Sequence, residues 1–144
     1  MRSQLTALIV VTALAAAMLL EASPALAARA ESEYVAEAQA LAGGGKLAEA
    51  VALLQEGAKE HPGSVEIYAY LGLFTGQSAG QAANYVEAGR LVTESFALFD
   101  KAVELGPENP IGYFYRGIMS VKVPVFLGKL PGGISDLKTV IAMG

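Results

Sequence analysis

Cysteine and tryptophan are absent from the 144 residues, and histidine occurs once, at His61. Without cysteine no disulfide can staple the fold and no lipid can be attached through a thiol, so stability rests on packing. A Ser–His–Asp arrangement would have to use His61, and no Gly-x-Ser-x-Gly elbow surrounds any serine. A metal at His61 would need companions, and Glu60 beside it is not enough. Directly before Pro62, His61 reads as a helix C-terminal residue that faces the dipole. Basic charge is also scarce. Ten Lys and Arg stand against 14 Asp and Glu, giving a net charge of −4, and the basic residues form no run. This argues against a nucleic-acid surface, which needs clustered cations. Strand signals are nearly missing: the β-branched segment VKVPVF is demoted by Pro124.

Uncharged apolar stretches are short, with one exception near the start. Met1-Arg2-Ser3-Gln4 carries one positive charge, Leu5 to Leu20 carries none, Pro24 breaks any helix, and Ala25-Leu26-Ala27 is a small-x-small site. This is the pattern of a secretory signal peptide, with cleavage expected after Ala27 and an exported, periplasmic or secreted location. The alternative is an uncleaved membrane anchor, against which the run of 16 residues is short of the roughly 20 that a ~30 Å hydrocarbon core requires. Residues 28–144 remain as one domain.

That domain reads as helices joined at prolines. Pro62 and Pro107 mark breaks, Ser64 and Asn109 are good N-caps, and Pro110 suits a first helical position. Leu47, Val51, Leu54 and Ala58 fall on one helical face. Tyr85, Ala88, Val92, Phe96, Phe99 and Val103 keep one phase over five turns, and Ile134, Leu137, Val140 and Ile141 do so near the end. Gly43-Gly44-Gly45 before Lys46 lacks the strand, glycine spacing and Ser/Thr of a phosphate loop and reads as a turn between paired helices. Pro131-Gly132-Gly133 reads the same way. Glu31, Glu33 and Glu37 read as a solvated helix face, and Asp136 has no identifiable partner.

A period of 34 residues aligns these pieces. With the frame starting at Glu31, Tyr34 takes position 4, Ala38 position 8, Leu41 position 11, Gly45 position 15, Ala50 position 20, Leu54 position 24, Gly57 position 27 and Pro62 position 32. A second copy from Val65 places Tyr68, Leu71 and Gly72 at positions 4, 7 and 8, and Ser95, Phe99 and Ala102 at 20, 24 and 27, with 11 extra residues between the halves. A third copy from Pro110 has Tyr113 at 4, Gly117 at 8, Gly133 at 20, Leu137 at 24 and Val140 at 27. This pattern resembles the tetratricopeptide repeat (TPR) family, here in an exported, bacterial-type protein. Departures from it include Glu37 and Arg116 in place of leucine, and Thr75 and Ser120 in place of tyrosine.

The resemblance implies an all-α fold of antiparallel helix pairs stacked as a short solenoid, with repeats at about 31–64, 65–109 and 110–144. The 11 extra residues amount to about three helical turns. They are expected to extend the second helix of the second repeat N-terminally, after a loop over Gly76 to Gln81. The family's ligand-facing positions correspond here to Ser32, Val35, Gln39, Ala42 and Gly43; to Glu66, Ala69, Leu73, Gly76 and Gln77; and to Ile111, Phe114, Ile118, Val121 and Lys122. Glu66, Leu73, Gln77, Ile111, Phe114, Ile118 and Lys122 are the candidate partner-binding residues.

The expected function is non-catalytic: a scaffold for a protein or peptide partner outside the cytoplasm, with no metal, no cofactor and no nucleic acid. Two alternatives stand beside it. One is a binding protein for a small amphiphilic ligand, held between the extended helix and the concave face. The other is an accessory domain of a longer protein whose catalytic parts lie elsewhere. Solenoid ends need polar caps, and the last helix is apolar. The chain is therefore expected to be a fragment, or to self-associate through Leu137, Val140 and Ile141.

Overall fold

A computed structural model describes residues 28–144. The signal-peptide reading of residues 1–27, including its cleavage site, lies outside the described residues. Six α-helices follow one another: α1 (Glu31–Gly43), α2 (Leu47–Glu60), α3 (Val65–Ser78), α4 (Tyr85–Leu105), α5 (Pro110–Lys122) and α6 (Leu130–Met143). Two short 3-10 turns, Ala79–Gln81 and Val125–Leu127, join α3 to α4 and α5 to α6. No strand occurs among the described residues, and the valine-rich segment ends in the second of these turns.

The start and stop signals act as the sequence implies. Ser64 Oγ accepts from Ile67 N at 3.0 Å and Asn109 Oδ1 from Ile111 N at 3.0 Å, each satisfying a helix-end donor, and a third cap that the sequence reading missed is Asn84, whose Oδ1 accepts from Glu87 N at 2.9 Å. The glycine turn after α1 is a Schellman motif: Lys46 N donates to Leu41 O at 2.9 Å and Gly45 N to Ala42 O at 3.1 Å. Gly45 takes φ +81°, a conformation that a side chain resists.

The helices pack as three antiparallel pairs, α1–α2, α3–α4 and α5–α6. Within each pair the predicted small residues sit at the closest approach. Ala38 and Ala50 are fully buried in one cluster with Leu54, Ile67 and Leu71. In the second pair, Ser95 Oγ donates to Gly72 O at 2.7 Å. In the third, a Cβ at Gly117 would lie 3.2 Å from Gly133 O. Gly57 faces the Tyr34 ring, where a Cβ would lie 2.9 Å from Cγ. This is a short TPR-like solenoid of three repeats, the second with an extended second helix.

The insertion departs from expectation in detail. Gly76, Gln77 and Ser78 are helical rather than loop, because Gly76 lets α3 pass close to Met119 and Ser95; a Cβ there would lie 2.5 Å from Met119 Cε. Helix α4 is 21 residues long against 14 for α2, so the insertion extends α4 and lengthens the connection before it. The stripe that it continues is not all core. Ser95, Phe96, Phe99 and Ala102 are buried, while Tyr85 is 97% exposed. Pro131-Gly132-Gly133 forms the first turn of α6 rather than a loop, with Gly133 pressed against Ser120.

Candidate functional site

Helix α1 touches α3, and α3 touches α5, whereas contacts among α2, α4 and α6 are sparse. The first helices of the repeats thus form one continuous layer. An aromatic ladder ties part of it together. The Tyr70 and Tyr115 rings lie 5.3 Å apart, and Phe114 meets Tyr115 edge-on at 5.3 Å. Burial, with a smaller contribution from the neighbouring Tyr70 hydroxyl, pushes Tyr115 well above the ordinary tyrosine range.

The candidate residues fall into three situations. Glu66 lies exposed in the first turn of α3. Ile111, Phe114 and Ile118 share one stripe of α5 with Val121; Phe114 is 42% exposed and Val121 59%, while Ile111 and Ile118 are half-buried. Gln77 and Lys122, both exposed, come together on the rim of one cavity. Leu73 does not stand free on the face. It is half-buried and packs against both core clusters, so its role is structural. Val35 and Ala69, also at ligand-facing positions of the frame, are core residues.

The apolar wall of that cavity, about 350 Å³ in volume, includes Ala79, Ala88, Val92 and Met119. A second cavity of about 180 Å³ lies further along α4, at Phe96 and Asp100, and mixes polar and apolar lining. Arg116 dominates it. Its Nε and Nη2 donate to the two carboxylate oxygens of Asp136 at 2.8 Å each, and its Nη1 donates to Asp100 at 2.6 Å. These hydrogen bonds, Asp136 first, raise the guanidinium above its already high range. The expectation that Asp136 is unpartnered is therefore incorrect. The available signal was Arg116 itself, standing where the frame has leucine. Lys129 lies over the Phe96 ring at 4.6 Å. With each cation of this cavity engaged, the arrangement joins α4, α5 and α6.

His61 is the C-cap of α2. Its Nε2 donates to Arg29 O at 2.7 Å and its ring meets Tyr34 edge-on, so it ties the segment before α1 to the end of α2. Arg29 in turn pairs with Glu37, which is therefore not merely solvated. No group of three or more His, Asp or Glu side chains placed to hold a metal occurs among the described residues. No helix among them is long and apolar enough to cross a membrane.

The face proposed for self-association divides in two. Leu137 points inward onto α5, where a Cβ at Gly117 would lie 2.7 Å from its Cγ, and Val140 is half-buried. Only Ile141 of the three is open, at 79%, beside Ile134 at 48%.

No family model matches the chain, and no curated protein sequence matches it. Among solved structures, the human IFIT1 dimer with PPP-AAAA is similar, with a TM-score of 0.65 at 19% identity. The match covers 79% of this chain and 26% of that one, so this chain spans about a quarter of the length of the structure it matches. At that identity the likeness concerns the fold, and the fold shared is that of a TPR-like helical-repeat protein.

Proposed function

We propose that the protein is a non-catalytic scaffold that works outside the cytoplasm, after loss of residues 1–27, and holds a protein partner on the layer formed by α1, α3 and α5. The partner element is an amphipathic helix or extended segment with an apolar face. The observation that carries this reading is the open apolar stripe of α5, where exposed Phe114 and Val121 alternate with half-buried Ile111 and Ile118. Exposed apolar surface set in polar surroundings marks interaction sites. A protein partner is favoured over nucleic acid because Lys122 is the only cation among the ligand-facing positions of the three repeats, and phosphate backbones demand several.

The test is site-specific photocrosslinking from position 114 in the native cell, with position 59 on α2 as the control. A partner captured from 114 and not from 59 is then purified and titrated. Phe114→Ala should weaken its binding at least tenfold while the Tm changes by only a few degrees. Equal loss of binding and folding would place Phe114 in the core and overturn the reading. Sequencing the protein from the extracytoplasmic fraction should give Ala28 as the first residue; recovery beginning at Met1 would overturn the export step.

A further inference from the structure

The cavity between α3, α4 and α5 has a different character from the α5 stripe, and Phe114 is not among its lining residues. Its existence follows from two features of the sequence. Gly76 brings the end of α3 close to α5, and the extension carries α4 past both, with small residues facing the space that remains: Ala79 and Gly80 on one side and Ala88 on the other. The apolar stripe of α4 thus continues beyond the helices that cover it. Val92 and Met119 form part of the wall, and the thioether of Met119 adapts readily to what it meets.

The polar atoms are few and lie at the rim. Gln77 offers an amide and Lys122 an ammonium group, and no carboxylate lines the cavity. Lys122 takes part in none of the ion pairs among the described residues, although the chain as a whole is acidic. The cavity's volume, about 350 Å³, falls within the range of small-molecule sites, roughly 300–1,000 Å³. At roughly 30 Å³ per water-sized group, it accommodates about twelve such groups.

We infer that this cavity binds a small amphiphile with an anionic head and an unbranched apolar tail of medium length. The tail lies against Ala88, Val92 and Met119, and the head pairs with Lys122 and accepts a hydrogen bond from Gln77. This site is separate from the partner-binding stripe of α5, so either reading can fail without the other.

The experiment is calorimetric titration of the full chain with decanoate and with decylamine, each below its micellar concentration. Decanoate should bind with one-to-one stoichiometry, and decylamine at least tenfold more weakly. Lys122→Glu should reverse that order, and Lys122→Met should weaken decanoate about tenfold or more, as loss of a charge-assisted hydrogen bond implies. Ala88→Phe should fill the cavity and abolish binding with the circular dichroism spectrum unchanged. If that variant does not fold, Ala79→Leu, which narrows the cavity from the opposite wall, serves in its place. No binding of decanoate, equal binding of decylamine, or undiminished binding to the filled cavity would each overturn the inference.

Discussion

The ring of Phe99 occupies the space into which any side chain on Gly72 would project. A Cβ at Gly72 would lie 2.8 Å from both Phe99 Cδ1 and Cε1, and 3.2 Å from the carbonyl oxygen of Ser95. Phe99 is fully buried and the Ser95 oxygen is backbone, so neither can yield cheaply. The second repeat therefore depends on an absent side chain.

Gly72→Leu is expected to unfold the domain, and Gly72→Ala to cost about 1–3 kcal/mol through overpacking. Gly89 provides the contrast. It lies within α4 with nothing near its missing Cβ and without a positive φ. Gly89→Ala should stabilise by about 0.5–1 kcal/mol, because alanine has less backbone freedom to lose. Urea titrations followed by circular dichroism measure both. A folded, fully helical Gly72→Leu protein would show that the repeat register is incorrect.

That register was legible because close helix pairs impose a requirement on single positions. Ala38, Gly72 and Gly117 recur at the same place in the 34-residue frame, each buried against the second helix of its pair. What periodicity cannot report is which neighbour covers a face. Tyr85 and Phe99 lie in one apolar phase on α4, yet one is 97% exposed and the other fully buried, because α3 and α5 end before the extension does. Gly76 to Ser78 has the composition of a loop, and the contact of Gly76 with Met119 and Ser95 overrides it. Arg116 and Asp136 are 20 residues apart, and only the pairing of α5 with α6 brings them together.

Arg116 replaces an apolar packing residue with a bidentate ion pair whose side chains are 21% and 10% exposed. Arg116→Leu would supply the leucine that the 34-residue frame has there but leave the Asp136 carboxylate buried without its counterion. The expected cost is about 3 kcal/mol, since a broken buried pair typically costs 3–5. Arg116→Leu combined with Asp136→Leu should recover most of that loss, because an apolar pair of similar volume often matches a buried salt bridge. Equal stability of the single and double variants, by urea denaturation, would show that the pair is not coupled.

Thr75 presents the opposite case. It is 2% exposed on α3, at a position where the frame has tyrosine, and its hydroxyl is the one buried side-chain polar atom lacking a hydrogen-bond partner among the described residues. A buried unpaired hydroxyl costs about 1–3 kcal/mol. Thr75→Val keeps the branched shape, removes the hydroxyl, and should stabilise by about 1 kcal/mol. A rise in Tm of several degrees checks this; a fall would mean that the hydroxyl is paired.

The last helix tests whether its apolar residues serve the fold or an outside surface. Leu137 lies against α5 at Gly117, while Ile141, one turn further along, is 79% exposed. Loss of buried leucine atoms typically costs 2–5 kcal/mol because both transfer energy and a cavity are involved. Leu137→Ala should therefore destabilise by about 2 kcal/mol, the lower end, since Leu137 is only half-buried. Ile141→Glu should change the stability of the monomer by no more than about 0.5 kcal/mol. Measured at two protein concentrations, the same variant also tests self-association. If the parent chain is more stable at the higher concentration and Ile141→Glu is not, the open end of α6 is an interface between copies. If neither depends on concentration, the exposed isoleucine is ordinary surface and the last repeat needs no partner to stay folded.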